Sequence, residues 1–231
     1  AASPIPYSLS NATPAEMTRD DMDEVVAEFV TAAGRAEEAG FDMIELHCAH
    51  GYLLNSFLSP KTNVRTDEYG GNAENRLKFP VEVFTALRAA WPEEKPISVR
   101  ISAHDWSDGG IVPEDAVGIA KAFKEAGCDI LDVSSGQVVS EEKPVYGRLF
   151  QLPFSDRVRL EADMPTMTVG NIQSFADANS IIAGGRADIC VIARMHLFDP
   201  YWTRHAANEL RYPLEMPVQY KSVETYTPRW T

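Results

Sequence analysis

Apolar and polar positions along this chain switch between a period near 3.6 and short continuous apolar runs, and the switches mark out its elements. After an extended Pro/Ser/Ala-rich opening, AASPIPYSLSNATPAEM, a helix is predicted to start at Thr18. Met22, Val25, Val26, Phe29, Val30, Ala33 and Ala36 recur at the spacing of one helix face. Thr18 is a candidate N-cap, Asp20 and Asp21 place acids in the first turn, and Gly40 supplies the left-handed conformation that stops the helix. The run FDMIEL (41–46) then reads as a strand, followed by a long polar connection and a helix near Ala73 to Ala90. The pattern repeats. ISVRIS (Ile97 to Ser102) precedes a helix from Pro113 to Ala126, and DILDVS (Asp129 to Ser134) a short helix from Ser155 to Glu161. TMTVG (Thr166 to Gly170) precedes a helix from Ser174 to Ala183, and DICVIA (Asp188 to Ala193) a terminal helix after Pro200.

The phrases EAGFD, EAGCD and AGGRAD each join a helix end, a glycine cap and an aspartate entering a strand. Strands alternating with helices imply a parallel sheet covered by helices. Two α/β architectures fit: a doubly wound open sheet, or part of a (β/α)₈ barrel. The chain opens on a helix, and its polar clusters follow strand C-termini, as the catalytic face of a barrel requires; spacing alone leaves both architectures open.

The chemistry gathers in residues 44–76, IELHCAHGYLLNSFLSPKTNVRTDEYGGNAENR. His47 and His50 come where the first strand should stop, and Tyr52 follows. Two imidazoles can hold a carbonyl or oxyanion, and a phenol can deliver a proton. The segment beyond them lacks periodicity and reads as an ordered, functional loop. Arg100 interrupts an apolar strand. It is either one half of a buried ion pair with Asp132 or Glu45, or a fixed positive charge for an anionic ring or enolate. The turns at Gly170-Asn171 and Ala193-Arg194 follow the last two strands, where backbone approach and an arginine suit a phosphate. Ser134-Ser135-Gly136 ends the middle strand and could line the same pocket. His104, His196 and His205 are not clustered, and Trp106 and Trp202 read as packing residues, although Trp106 is placed to touch a ligand. No G-x-G-x-x-G, P-loop or G-x-S-x-G signature is present.

Composition narrows the partners. The 231 residues are 45% hydrophobic and 10% aromatic, enough for one domain with a sizeable core. A formal net charge of −13 argues against a nucleic-acid partner while leaving room for a local phosphate pocket. Cys48, Cys128 and Cys190 are widely spaced and read as buried hydrophobes. Cys48 with the two histidines lacks a second ligand cluster, so no metal is expected. No apolar run reaches membrane-spanning length, no leader is visible, and a cytoplasmic location follows by default.

The run HCAHGYLLNSFLSPKTNVRTDEYGGNAENR closely resembles the old yellow enzyme family of FMN-dependent ene-reductases, and VRIS, VGNI and IAR…DP match in order further on. The resemblance implies a TIM (β/α)₈ barrel of the FMN-linked oxidoreductase type, with NAD(P)H as hydride source. It implies that His47 and His50 bind an activating carbonyl, that Tyr52 is the proton donor and that Arg100 lies beside the flavin. Gly170, Asn171, Ala193 and Arg194 would hold its phosphate. HCAHGYLL, SVRISAHDW, PVYGRLFQLPFSDRVR and TVGNI look most similar to the reductase halves of bifunctional aromatic acyl-CoA monooxygenase/reductases of the salicylyl-CoA 5-hydroxylase and 2-aminobenzoyl-CoA types. The substrate implied is then an enone or a dearomatised acyl-CoA, with a flavin monooxygenase domain before the reductase.

The family's first three strands are not visible here. Residues 1–231 are therefore expected to form the C-terminal part of one FMN-binding barrel, about five βα units, with a seam that self-association could cover. The alternatives are a flavin-independent lyase or aldolase using the histidine pair, or a catalytically inert assembly fragment. The first lacks a strand-borne Schiff-base lysine, since Lys61 lies in a loop.

Overall fold

The computed structural model describes residues 1–224 and Tyr226. Helix α1 (Arg19–Glu38) begins on a capping box in which Thr18 and Asp21 satisfy each other's backbone N–H groups. It leads into strand β1 (Ile44–Cys48), helix α2 (Leu53–Leu58) and helix α3 (Ala73–Ala90). Next come β2 (Ile97–Ser102), α4 (Pro113–Glu125), β3 (Ile130–Ser134) and α5 (Leu152–Glu161). The last units are β4 (Thr166–Val169), α6 (Phe175–Ala183), β5 (Ile189–Val191), α7 (Arg194–Phe198) and α8 (Trp202–Glu209), ending in a 3₁₀ turn, Val218–Val223.

The strand order decides between the two architectures. All five strands are parallel and neighbour one another in chain order, β1-β2-β3-β4-β5. A doubly wound sheet reverses order at a switch point, whereas a barrel adds each βα unit to the same side. The sheet is thus an arc of a (β/α) barrel with β1 and β5 as its edges among the described residues. Helices α1, α3, α4 and α5 pack against their sequence neighbours around the outside.

Alternation along the strands gives the arc two unlike faces. Leu46 and Cys48, Val99 and Ile101, and Leu131 and Val133 face the helices in one core with Phe57, Phe79, Phe84 and Phe123. The opposite, inward face carries Glu45, His47, Ser98, Arg100, Ser102, Asp132 and Ser134. His47 is in register with Arg100, and Arg100 with Asp132. A polar inner face is what a cavity for a polar ligand needs. Cys48 and Cys128 are buried, which raises both thiols, Cys128 to about 12; they are inert packing groups.

Three differences from the sequence reading bear on the site. The first strand starts at Ile44 rather than Phe41 and runs through His47 to Cys48, so His47 lies within the strand. The connection expected to be irregular contains α2, buried from Leu54 to Leu58. The last strand stops at Val191, and Arg194 opens α7 instead of closing a strand.

Candidate active site

The long loop after β1 is held by its own polar residues. Asn63 Nδ2 donates to the carbonyls of Phe57 and Tyr69, each at 2.8 Å. Arg65, whose side chain is only 7% exposed, donates to the carbonyls of Ala2 and Met17 at 3.1 and 2.9 Å and pairs with Asp67. Arg76 Nε donates to the Leu58 carbonyl at 2.9 Å. Most of the motif N-x-R-x-D-x-Y-G-G…E-N-R is therefore scaffolding that fixes the start of the loop, where the chemistry lies.

There, His47, His50 and Tyr52 form one cluster. The His47 ring centroid is 5.3 Å from that of His50 and 5.4 Å from that of Tyr52. Tyr52 is the N-cap residue of α2 and is 64% exposed, so its phenol faces the open side of the sheet end. His50 has φ 60° and is tied to two neighbouring strand ends. Its backbone N–H donates to Ser102 Oγ at 2.9 Å, and its Nε2 lies 2.8 Å from Ser134 Oγ. Burial, then the charge on Arg100, lowers the pKa of both imidazoles, that of His50 to about 4. Near neutral pH they are uncharged, each with one N–H to donate.

Of the partners open to Arg100 in the sequence, the structure pairs it with Asp132. Its Nε lies 3.3 Å from Asp132 Oδ2, an ion pair whose geometry makes no hydrogen bond. Burial raises the Asp132 carboxyl to about 6 against the opposing pull of Arg100. The guanidinium also borders a cavity of about 630 Å³ at the C-terminal ends of the strands. That cavity brings together His50, Arg100, Gly170, Asn171 and Arg194 from the sequence reading. Ala193 lies in an adjoining hollow that shares Gly170, Asn171 and Arg194, while His47 and Tyr52 lie outside the cavity lining, beside His50.

Strain concentrates on this lining. His50, Trp106, Gln137 and Asn171 are non-glycine residues with φ between 53° and 61°, and all four border the cavity. Such conformations persist where the surroundings enforce them, and they cluster at functional sites. Gly170, at φ 117°, has no alternative residue: a Cβ there would lie 2.6 Å from Gln151 Nε2.

Sequence reasoning missed the remaining wall. Gln137, Glu142, Pro144, Tyr146, Phe150 and Gln151 all come from the connection between β3 and α5. The available signal was its length, unusual for a βα loop. Trp106 does reach the cavity: its indole donates to Ser135 Oγ at 3.0 Å, and His104 stacks on its ring at 4.5 Å. Among the described residues, no group of three or more His, Cys, Asp or Glu side chains could hold a metal ion. No helix there is long and apolar enough to cross a membrane.

The chain is similar to known proteins in sequence and fold. The family model described as NADH:flavin oxidoreductase / NADH oxidase family matches residues 2–212. The chain is 47% identical over 221 residues to an NADPH dehydrogenase of Geobacillus thermodenitrificans (strain NG80-2), covering 96% of this chain and 64% of that protein. It is 44% identical over 221 residues to the NADPH dehydrogenase of Bacillus subtilis (strain 168), with the same coverage of 96% and 64%. The chain thus spans 64% of the length of these curated relatives. Among solved structures, a complex of 2-naphthoyl-CoA reductase with 2-naphthoyl-CoA superposes with a TM-score of 0.83 at 25% identity, over 90% of this chain and 32% of that one. Morphinone reductase in complex with tetrahydroNAD gives 0.71 at 26%, over 93% and 55%.

Proposed function

Since the chain belongs to the NADH:flavin oxidoreductase / NADH oxidase family, we propose that it carries the substrate-binding wall and part of the FMN site of an NAD(P)H-dependent ene-reductase. The observation that carries this reading is a juxtaposition at one end of the sheet. The neutral histidine pair and Tyr52 stand beside a cavity bordered by Arg100, Gly170, Asn171 and Arg194.

The cavity suits FMN on its own chemistry. The Arg100 guanidinium is part-buried beside the Asp132 carboxyl and borders the cavity, so a polar ring edge could accept hydrogen bonds from it there. Gly170 lets the turn after β4 pack closely against Gln151 and Phe150 at the cavity wall, which places its backbone at the cavity, and Arg194 is an exposed cation nearby. In this reading Gly170, Asn171, Ala193 and Arg194 hold the phosphate and Arg100 the ring. When bound, FMN supplies hydride transfer from NAD(P)H to the substrate.

The chain's own residues handle the other half of the reaction. His47 and His50 donate neutral N–H groups to the substrate carbonyl, drawing electron density from its conjugated double bond. Tyr52, on the exposed side of the pair, delivers a proton to the α-carbon. Tyr52→Phe is expected to slow substrate reduction by about a hundredfold, within the usual range for a general acid, and to spare flavin reduction by NAD(P)H. Stopped-flow traces of the two half-reactions check this, and equal slowing of both would count against it. The cheaper first test is to mix the protein with FMN, remove unbound FMN by gel filtration and look for a band near 450 nm that travels with the protein; its absence would sink the flavin reading.

The substrate class we favour is an enone or a dearomatised aromatic acyl-CoA. The likeness to a reductase seen with 2-naphthoyl-CoA and the aromatic cavity residues Trp106, Tyr146 and Phe150 support the latter. We further propose that residues 1–231 are the later portion of one barrel domain, within a larger protein that also carries a flavin monooxygenase domain. The edges at β1 and β5 are the surfaces that further strands or a second copy would cover. The flavin-independent lyase and inert assembly readings have no specific observation behind them.

A further inference from the structure

Ser134, at the end of β3, is buried and sits between two groups that compete for its single proton. Its Oγ lies 2.8 Å from His50 Nε2 and 3.3 Å from Gln151 Oε1. The neighbouring bonds and the two distances bear on which of them receives it. Gln151 Nε2 donates to the Val169 carbonyl at 2.9 Å, and a carbonyl can only accept, so Oε1 must face the serines. Trp106 Nε1 can only donate, and it does so to Ser135 Oγ at 3.0 Å. Ser135 then passes its own proton to Gln151 Oε1 at 2.7 Å. The second lone pair of that amide oxygen meets Ser134 only at 3.3 Å, whereas His50 Nε2 lies at 2.8 Å, so the shorter contact to the histidine is the better one for the Ser134 proton.

We infer that Ser134 is a positioning residue: its hydroxyl donates to His50 Nε2 and holds the imidazole as the Nδ1–H tautomer, so that Nδ1 is the atom offered to a substrate oxygen. His50 Nδ1 has no hydrogen-bond partner among the described residues. An uncharged imidazole has one proton, so the partner of one nitrogen determines what the other can do. The His50 backbone is at φ 60° with its N–H donating to Ser102 Oγ, which in turn donates to the Gly136 carbonyl at 3.0 Å, so the strand ends place the imidazole beside Ser134. Trp106, Ser135 and Gln151 thus act on the histidine from the far wall of the cavity. The substrate role of Nδ1 rests on the ene-reductase reading; the tautomer does not.

Long-range ¹H–¹⁵N correlation spectra of ¹⁵N-histidine-labelled protein at neutral pH test the assignment. His50 should show a protonated Nδ1 and an unprotonated Nε2. Ser134→Ala should shift it to the Nε2–H form or a mixture, and Ser134→Thr, which keeps the hydroxyl, should restore the wild-type pattern. An Nε2–H tautomer in the wild-type protein would overturn the inference without recourse to any variant, and so would an unchanged pattern in Ser134→Ala. Binding of 2-cyclohexen-1-one should weaken about tenfold in Ser134→Ala, the worth of one neutral hydrogen bond. If the tautomer is as inferred but the enone does not bind the wild-type protein, the positioning role stands and the ene-reductase reading falls.

Discussion

Asp105 is fully buried three residues beyond the end of β2 and does not line the cavity. Its Oδ2 accepts from Ser59 Oγ at 2.6 Å and from the Ile111 N–H at 2.8 Å, while Oδ1 has no partner. Burial outweighs these bonds and raises the carboxyl to about 6. A raised acid binds its proton more tightly in the folded state. Its stabilising contribution is complete below the unfolded value near 3.8 and is lost as pH rises through about 6. His50, lowered to about 4, acts in the opposite direction, costing stability as pH falls from 6.5. The two partly cancel in the wild-type profile, so a difference measurement is needed. Asp105→Asn removes the charge and keeps an acceptor for Ser59 and Ile111. Its melting temperature relative to wild type should rise between pH 4 and pH 7, towards a gain of about 3 kcal/mol, the worth of a shift of about two pKa units. A difference independent of pH would refute the assignment. Residues of this kind are poorly legible in sequence. Asp105 looks like any loop acid, whereas His47, His50 and Tyr52 announce themselves because three proton-handling groups seldom fall together by chance.

At the scale of elements, the recurrent joint of glycine cap and aspartate acquires a physical reason. Asp129 Oδ2 accepts from the first N–H of β2, Ile97, at 2.8 Å, and Asp188 Oδ2 from the first N–H of β4, Thr166, at 2.9 Å. Each is also paired with an arginine on a preceding helix, Arg88 at 3.5 Å and Arg159 at 3.0 Å. The aspartate opening one βα unit thus caps the bottom of the strand before it. That repetition was visible in the sequence because the same backbone problem recurs at these two joints. Helix α2 was not visible. It is six residues long and buried almost throughout, so it shows no polar face and depends on tertiary packing rather than propensity. The loop around it depends on Arg65. Arg65→Ala should cost about 2–4 kcal/mol by leaving two buried carbonyls unsatisfied, and Arg65→Lys should recover little because one ammonium cannot reproduce the fork. Chemical denaturation measures both; a loss under about 0.5 kcal/mol in Arg65→Ala would show that the loop is held by other means.

Across the whole molecule, stability is unevenly distributed. One large core joins β1, β2 and β3 to helices α1 to α5, whereas the cluster of Leu152, Ile172, Ile181 and Ala187 beside β4 and β5 is small. Ile189 on β5 is 45% exposed, and Leu197 and Phe198 on α7 are more exposed still. Native-state hydrogen exchange should find the slowest amides in β2 and β3, with β5 and α7 opening at a free energy lower by roughly a few kcal/mol. Uniform protection across all five strands would contradict this partition.

By itself the sequence determined the βα alternation, the helix caps and the His47–His50–Tyr52 cluster. Each depends on side chains only a few positions apart, whose periodicity, capping chemistry or crowding is written locally. Only the tertiary structure decided that the strands follow one another as a barrel arc, that Arg100 meets Asp132, and that Ser134, Gln151 and Trp106 converge on His50. Those contacts join residues from different strand ends, and parallel pairing brings them together through register and sheet curvature, which no local pattern encodes.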